Sequence, residues 1–121
     1  MGTRSLTFTY INSEKIICLY RQYDGYPEGH GAELAEILTT TESNGIECLS
    51  ATIVAKLKTE WGNIYLYPST TKDAWQEYEY HIYDDGRVQV IKTYPERRSI
   101  FEGTHQEFKG FCKSKQRVEA V

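Results

Sequence analysis

Long apolar runs are missing from this sequence. No stretch approaches the roughly 20 residues that cross a bilayer, and the opening MGTRSLTFTY lacks the apolar centre of a secretory signal. The expectation is a cytoplasmic protein with no membrane contact. Leu6 stands where an N-myristoylation signal wants Ser or Thr, which argues against a lipid anchor on Gly2. Cysteine is scarce as well: Cys18, Cys48 and Cys112 are odd in number and far apart, so neither a disulfide framework nor a CxxC metal site is legible. Cys18 and Cys48 lie inside apolar runs and are expected to be small buried thiols. The histidines, His30, His81 and His105, are isolated, with no HxH or HExxH spacing, and the acidic residues are scattered. No metal, cofactor or catalytic cluster is expected. Charge of one sign is also lacking, since the net charge is −3 and the pI about 5.6, which argues against broad attraction to a nucleic-acid polymer. A local basic pocket for a small anion remains open.

What is present is an ordinary globular composition, 40% hydrophobic and 26% charged, in a chain of 121 residues that suits one domain spanning 1–121. SLTFTYI and IICLYRQ, joined by NSEK, form a hairpin. AELAEILTT places Leu34, Ile37 and Leu38 on one helical face, with the start near His30 or Gly31. Ser43 or Asn44 can cap a second helix running to about Trp61, and its Leu49, Ile53 and Leu57 ridge with Ala51, Val54 and Ala55 predicts burial around much of its circumference. IYLY reads as a strand and PSTTKDAW as a polar connector. Around Asp85–Gly86, EYEYHIYDDGRVQVIKTY reads as a hairpin with a two-residue turn, pairing Tyr83 with Val88, His81 with Val90 and Glu79 with Lys92. ERRSIFEG holds a short strand candidate, THQE is a capping box for a short helix, and the tail frays from about residue 115. The order β-β-α-α-β-β-β-(β)-α gives an α+β fold with a mostly antiparallel sheet, two central helices and a short C-terminal helix. Ten tyrosines and an aromatic hairpin leave a surplus face that predicts a homo-oligomer, a dimer or higher.

The densest chemistry lies in YRQYDGYPEGHG, residues 20–31, just before the first helix. Arg21 can pair bidentately with phosphate, Tyr23 and Tyr26 can stack a base, Asp24 can hold ribose hydroxyls, and Gly29, His30 and Gly31 lead into a helix N-terminus that favours an anion. GHG lacks the GKS or GKT ending of a P-loop. Read as fold alone, DGYP is a turn, the glycines ease the approach to the helix and the tyrosines pack on the core. Arg97 and Arg98 form a second basic pair that is either a solvated strand end or a further phosphate clamp, within one chain or between subunits. Asp24 and His30 together could also serve as an acid–base pair for nucleotide hydrolysis.

The segments MGTRSLTF, YRQYDGYPEGHGAELAEIL, CLSATIVAKLKTE, YLYP and EYEYHIY, within residues 1 to about 84, resemble the first-described Thoeris anti-defence family of phage and prophage proteins. That resemblance implies a non-catalytic sponge in an infected or lysogenic bacterial host. Such a protein sequesters the cyclic ADP-ribose isomers that a bacterial TIR enzyme makes from NAD. It also implies binding of cyclic oligonucleotide signals and assembly into dimers or larger oligomers. The alternatives are a nucleotide hydrolase using Asp24 and His30, or a phage inhibitor that binds protein through its tyrosine surface.

Overall fold

A computed structural model describes residues 2–42 and 44–120, with residues 116–120 described as helical backbone only. Strands β1 (Ser5–Ile11) and β2 (Glu14–Arg21) form the expected hairpin, turning through Asn12 and Ser13 at φ 49° and 71°. Two successive positive φ values match the turn type that suits the right-handed strand twist. A single π turn, Pro27–Gly31, leads into α1 (Ala32–Thr40), and α2 (Ile46–Leu57) follows. Then come β3 (Ile64–Tyr67), β4 (Tyr78–Tyr83), β5 (Arg87–Lys92), β6 (Arg98–Thr104) and α3 (His105–Ala120). The six-stranded sheet has the order β3-β2-β1-β4-β5-β6, and only the β1–β4 pair is parallel. The fold is α+β with a mostly antiparallel sheet.

Helices pack on one face, around Leu19, Leu34, Ile53, Tyr80, Val88, Val90 and Phe108. A smaller cluster of Leu6, Phe8, Tyr10, Cys18 and Tyr20 lies on the other face, partly covered by Ala74. Strand β1 is therefore buried on both sides, and its polar side chains need internal partners. Thr7 meets His30, and Thr9 accepts a hydrogen bond from the Ser50 hydroxyl at 2.8 Å.

Several expectations change. The β4–β5 turn carries one more residue: Ile82 pairs with Val88, His81 with Gln89, Tyr80 with Val90 and Glu79 with Ile91. Gly86 takes the left-handed position at φ 92°, and its N–H reaches the Tyr83 carbonyl. This is the geometry of a longer hairpin loop. The extra residue puts Val88 and Val90 beside Tyr80 and Ile82 rather than beside Tyr83 and His81. Helix α2 stops at Leu57, with Asn63 Nδ2 donating to the Leu57 carbonyl, and buries one stripe while Ala51, Ala55 and Cys48 are exposed. Its N-cap is Gly45 at φ 94°, without a side-chain cap, while the Ser43 expectation lies outside the described residues. Helix α1 packs more extensively on α3 than on α2, and α3 spans His105–Ala120, longer than the short helix expected. The capping box holds: Thr104 N–H donates to Glu107 Oε1 at 2.9 Å and Glu107 N–H to Thr104 Oγ1 at 3.2 Å.

Phe108 anchors α3, fully buried with its ring edge-on to Tyr80 and tilted against Phe101. Phe108→Ala removes that anchor and is expected to cost about 3–5 kcal/mol, read as a lower urea midpoint at constant slope.

Candidate ligand-binding site

The glycine-rich segment folds back on itself. Arg21 is 14% exposed at its side chain and held on three sides: Nε donates to the Tyr23 carbonyl at 2.8 Å, one terminal nitrogen to Glu33 at 3.1 Å, and the other lies 3.4 Å from His30 Nδ1. The His30 ring is fully buried, with Nε2 2.7 Å from Thr7 Oγ1 and the ring edge against Tyr80. Burial first, and the nearby Arg21 cation second, push its pKa down to about 3, so the imidazole is neutral. An arginine can only donate, so Nδ1 accepts and the Nε2 proton goes to Thr7.

The backbone N–H groups expected to cradle an anion are also occupied. Gly29 and Gly31 both donate to the Tyr26 carbonyl, at 3.0 and 3.3 Å, and His30 donates to the Asp24 carbonyl at 2.7 Å. A side chain at Gly29 would sit 2.6 Å from that same Asp24 carbonyl, and one at Gly31 would crowd Cys112 and Tyr80. These glycines permit close approach of backbone and helix α3. Asp24, at φ 61°, accepts from the Tyr26 hydroxyl at 3.0 Å, so the side chains of Asp24 and His30 face different partners. Arg21, Gly29, His30 and Gly31 thus make their hydrogen bonds within the fold. Tyr23 and Asp24 remain exposed, and Tyr26 is half-buried.

The outer side of this loop forms part of a cleft. Cross-strand pairing aligns Arg21, Ser5, Tyr78, Lys92 and Arg98 in one row at the end of the sheet, on the helix-covered face. Thr3, Tyr26, Glu28, Glu77 and Tyr78 line a depression of about 500 Å³. Glu28 and Tyr78 continue into a neighbouring cleft of about 230 Å³, where Pro27 and Ile100 are joined by Lys92, Arg98 and Lys115. Lys92 Nζ lies 3.9 Å from Glu77 and 5.5 Å above the Tyr78 ring. Arg98 is exposed, and no hydrogen bond or ion pair holds it among the described residues.

Arg97 and Arg98 diverge, as neighbours on an extended chain must. Arg97 reaches the opposite face and grips Glu79 with both terminal nitrogens at 2.8 Å. Two further donors, His81 Nε2 and Gln76 Nε2, each reach Glu79 at 2.9 Å. Burial alone would raise the Glu79 pKa, but these hydrogen bonds and the Arg97 charge hold it down at about 2. The two candidate clamp residues, Arg97 and Arg98, therefore lie on opposite faces of the sheet. Sequence reading missed Tyr78, Lys92 and Lys115. The signal for the first two was the hairpin register, since the longer turn puts Lys92 opposite Tyr78.

No protein family, curated protein or solved structure matches this chain.

His30 gives a test of the buried arrangement. Unfolded histidine takes up a proton near pH 6.5 and the buried ring does so near 3, so stability is complete above 6.5 and falls as pH drops towards 3. His30→Gln, which keeps one donor and one acceptor, is expected to flatten the fall between pH 6.5 and 5 in urea titrations by at most about 1.4 kcal/mol per pH unit.

Proposed function

We propose that this protein captures a phosphate-bearing nucleotide signal of the cyclic ADP-ribose class in the sheet-end cleft and holds it unreacted. The observation that carries this reading is the convergence of Lys92, Arg98 and Lys115, from β5, β6 and α3, on a cleft that shares Tyr78 and Glu28 with the Tyr26 depression. A signal of this kind presents two chemistries side by side. Its pyrophosphate matches a guanidinium and two ammonium groups. Its purine and riboses match the Tyr26 and Tyr78 rings and the Glu28 and Glu77 carboxylates.

The larger volume, about 500 Å³, falls in the range that encloses small ligands, and the cleft of about 230 Å³ adjoins it. The sequence resemblance supplies the biological setting, in which a phage-encoded sponge removes the immune signal before its effector responds. On this reading capture is the function, and oligomerisation would further enclose a cleft that one chain leaves open.

Cyclic ADP-ribose isomers should raise the melting temperature and be recovered intact when the protein is heat-denatured and the supernatant chromatographed. Arg98→Ala removes one charged partner of the pyrophosphate and is expected to weaken affinity by about 10- to 100-fold with the fold intact, measured by calorimetry. Absence of any thermal shift, or unchanged affinity in Arg98→Ala, would overturn the reading; a linear product would replace it with hydrolysis.

A further inference from the structure

The opposite face of the sheet carries a second constellation, and it begins with a tryptophan that the fold does not use. Trp75 is 84% exposed and its backbone sits at φ 64°, a left-handed conformation that bulky residues rarely take. Three hydrogen bonds secure the turn around it. The Trp75 N–H donates to Asp73 at 3.0 Å, the Ala74 N–H to Gln76 Oε1 at 2.7 Å, and Gln76 Nε2 to the Lys72 carbonyl at 3.0 Å. Gln76 Nε2 also reaches Glu79, the carboxylate that fixes Arg97. One buried carboxylate thereby positions both an exposed ring and an exposed cation.

The neighbouring segment is tied in too. Thr93 donates its N–H to the Glu77 carbonyl at 2.8 Å and its hydroxyl to the Gln76 carbonyl at 2.6 Å, which sets Tyr94, 70% exposed, beside the same hollow of about 500 Å³. Lys72 and Arg97 pass from this hollow into an adjoining one of about 370 Å³, where Lys15 Nζ lies 4.0 Å over the Phe8 ring. Glu79 is the carboxylate lining that inner hollow, and its oxygens already accept from Arg97, His81 and Gln76. Lys15, Lys72 and Arg97 thus outnumber Glu79 in the inner hollow, while Asp73 and Glu77 line the outer one and Glu77 also borders the sheet-end depression.

We propose that this face is a separate binding site for a planar ring that carries a phosphate, of the nucleoside monophosphate class. Trp75 and Tyr94 are the ring contacts, and Lys15, Lys72 and Arg97 anchor the anion. A guanidinium held in place before the ligand arrives, and backbone turns that are already secured, lose little freedom on binding. The site shares no lining cation with the sheet-end cleft and does not depend on the function proposed for it.

The chain has two tryptophans, so Trp61→Phe, at a position 99% exposed, leaves Trp75 as the sole indole reporter. Titration of that variant with adenosine 5′-monophosphate should give saturable quenching. Adenosine and inorganic phosphate, each lacking one half of the ligand, should bind at least tenfold more weakly. Lys72→Ala should weaken the monophosphate about tenfold, while Arg98→Ala leaves it unchanged. Quenching that does not saturate, that is insensitive to Lys72→Ala, or that is lost in Arg98→Ala would overturn the assignment.

Discussion

The alternation of side chains along β4 is the constraint on which both clefts depend. Tyr78, Tyr80 and Ile82 face the helices, while Glu79, His81 and Tyr83 face the other way. Tyr80 closes the core and its hydroxyl donates to the Gly25 carbonyl at 2.7 Å, which fixes the glycine-rich loop to the sheet. Tyr78, two residues earlier, then stands at the mouth of the cleft that this loop borders. On the reverse side Glu79 gathers Arg97, His81 and Gln76. A one-residue slip in this strand would place the carboxylate against the helices and the tyrosines outside, destroying both arrangements at once.

Buried polar groups are expensive unless every one is matched, and the two networks here are closed in different ways. Around His30 the solution is neutrality, with an imidazole that accepts from Arg21 and donates to Thr7. Around Glu79 the solution is charge, with a guanidinium, an imidazole and an amide on one carboxylate. His81 extends that second network, since its Nδ1 lies 2.5 Å from the Tyr10 hydroxyl. Each network orders a loop: residues 22–31 in the first case, 72–76 in the second. The backbone that carries the exposed groups on those loops is consequently held from within.

Local signals were the legible part of the sequence. The β1–β2 hairpin, the apolar face of α1 and the Thr104–Glu107 capping box each depend on residues a few positions apart, and each forms, the hairpin with a two-residue turn at Asn12–Ser13 in place of the four-residue NSEK connector. The internal contacts of the glycine-rich loop were not legible because its partners are remote: Thr7 comes from β1, Glu33 from α1 and Tyr80 from β4, and together they draw Arg21 and His30 inward. Asp85–Gly86 fits both a two-residue turn and the longer loop, and the choice between them decides which face every later residue occupies. Trp75 was passed over because PSTTKDAW has ordinary loop composition.

The most direct test of capture in the sheet-end cleft is residue-resolved NMR of the labelled protein titrated with cyclic ADP-ribose. The account predicts that amide perturbations at saturation centre on Tyr26, Glu28, Tyr78, Lys92 and Arg98, with the ligand spectrum chemically unchanged. An unperturbed spectrum, or perturbations that leave those five residues untouched, would contradict it.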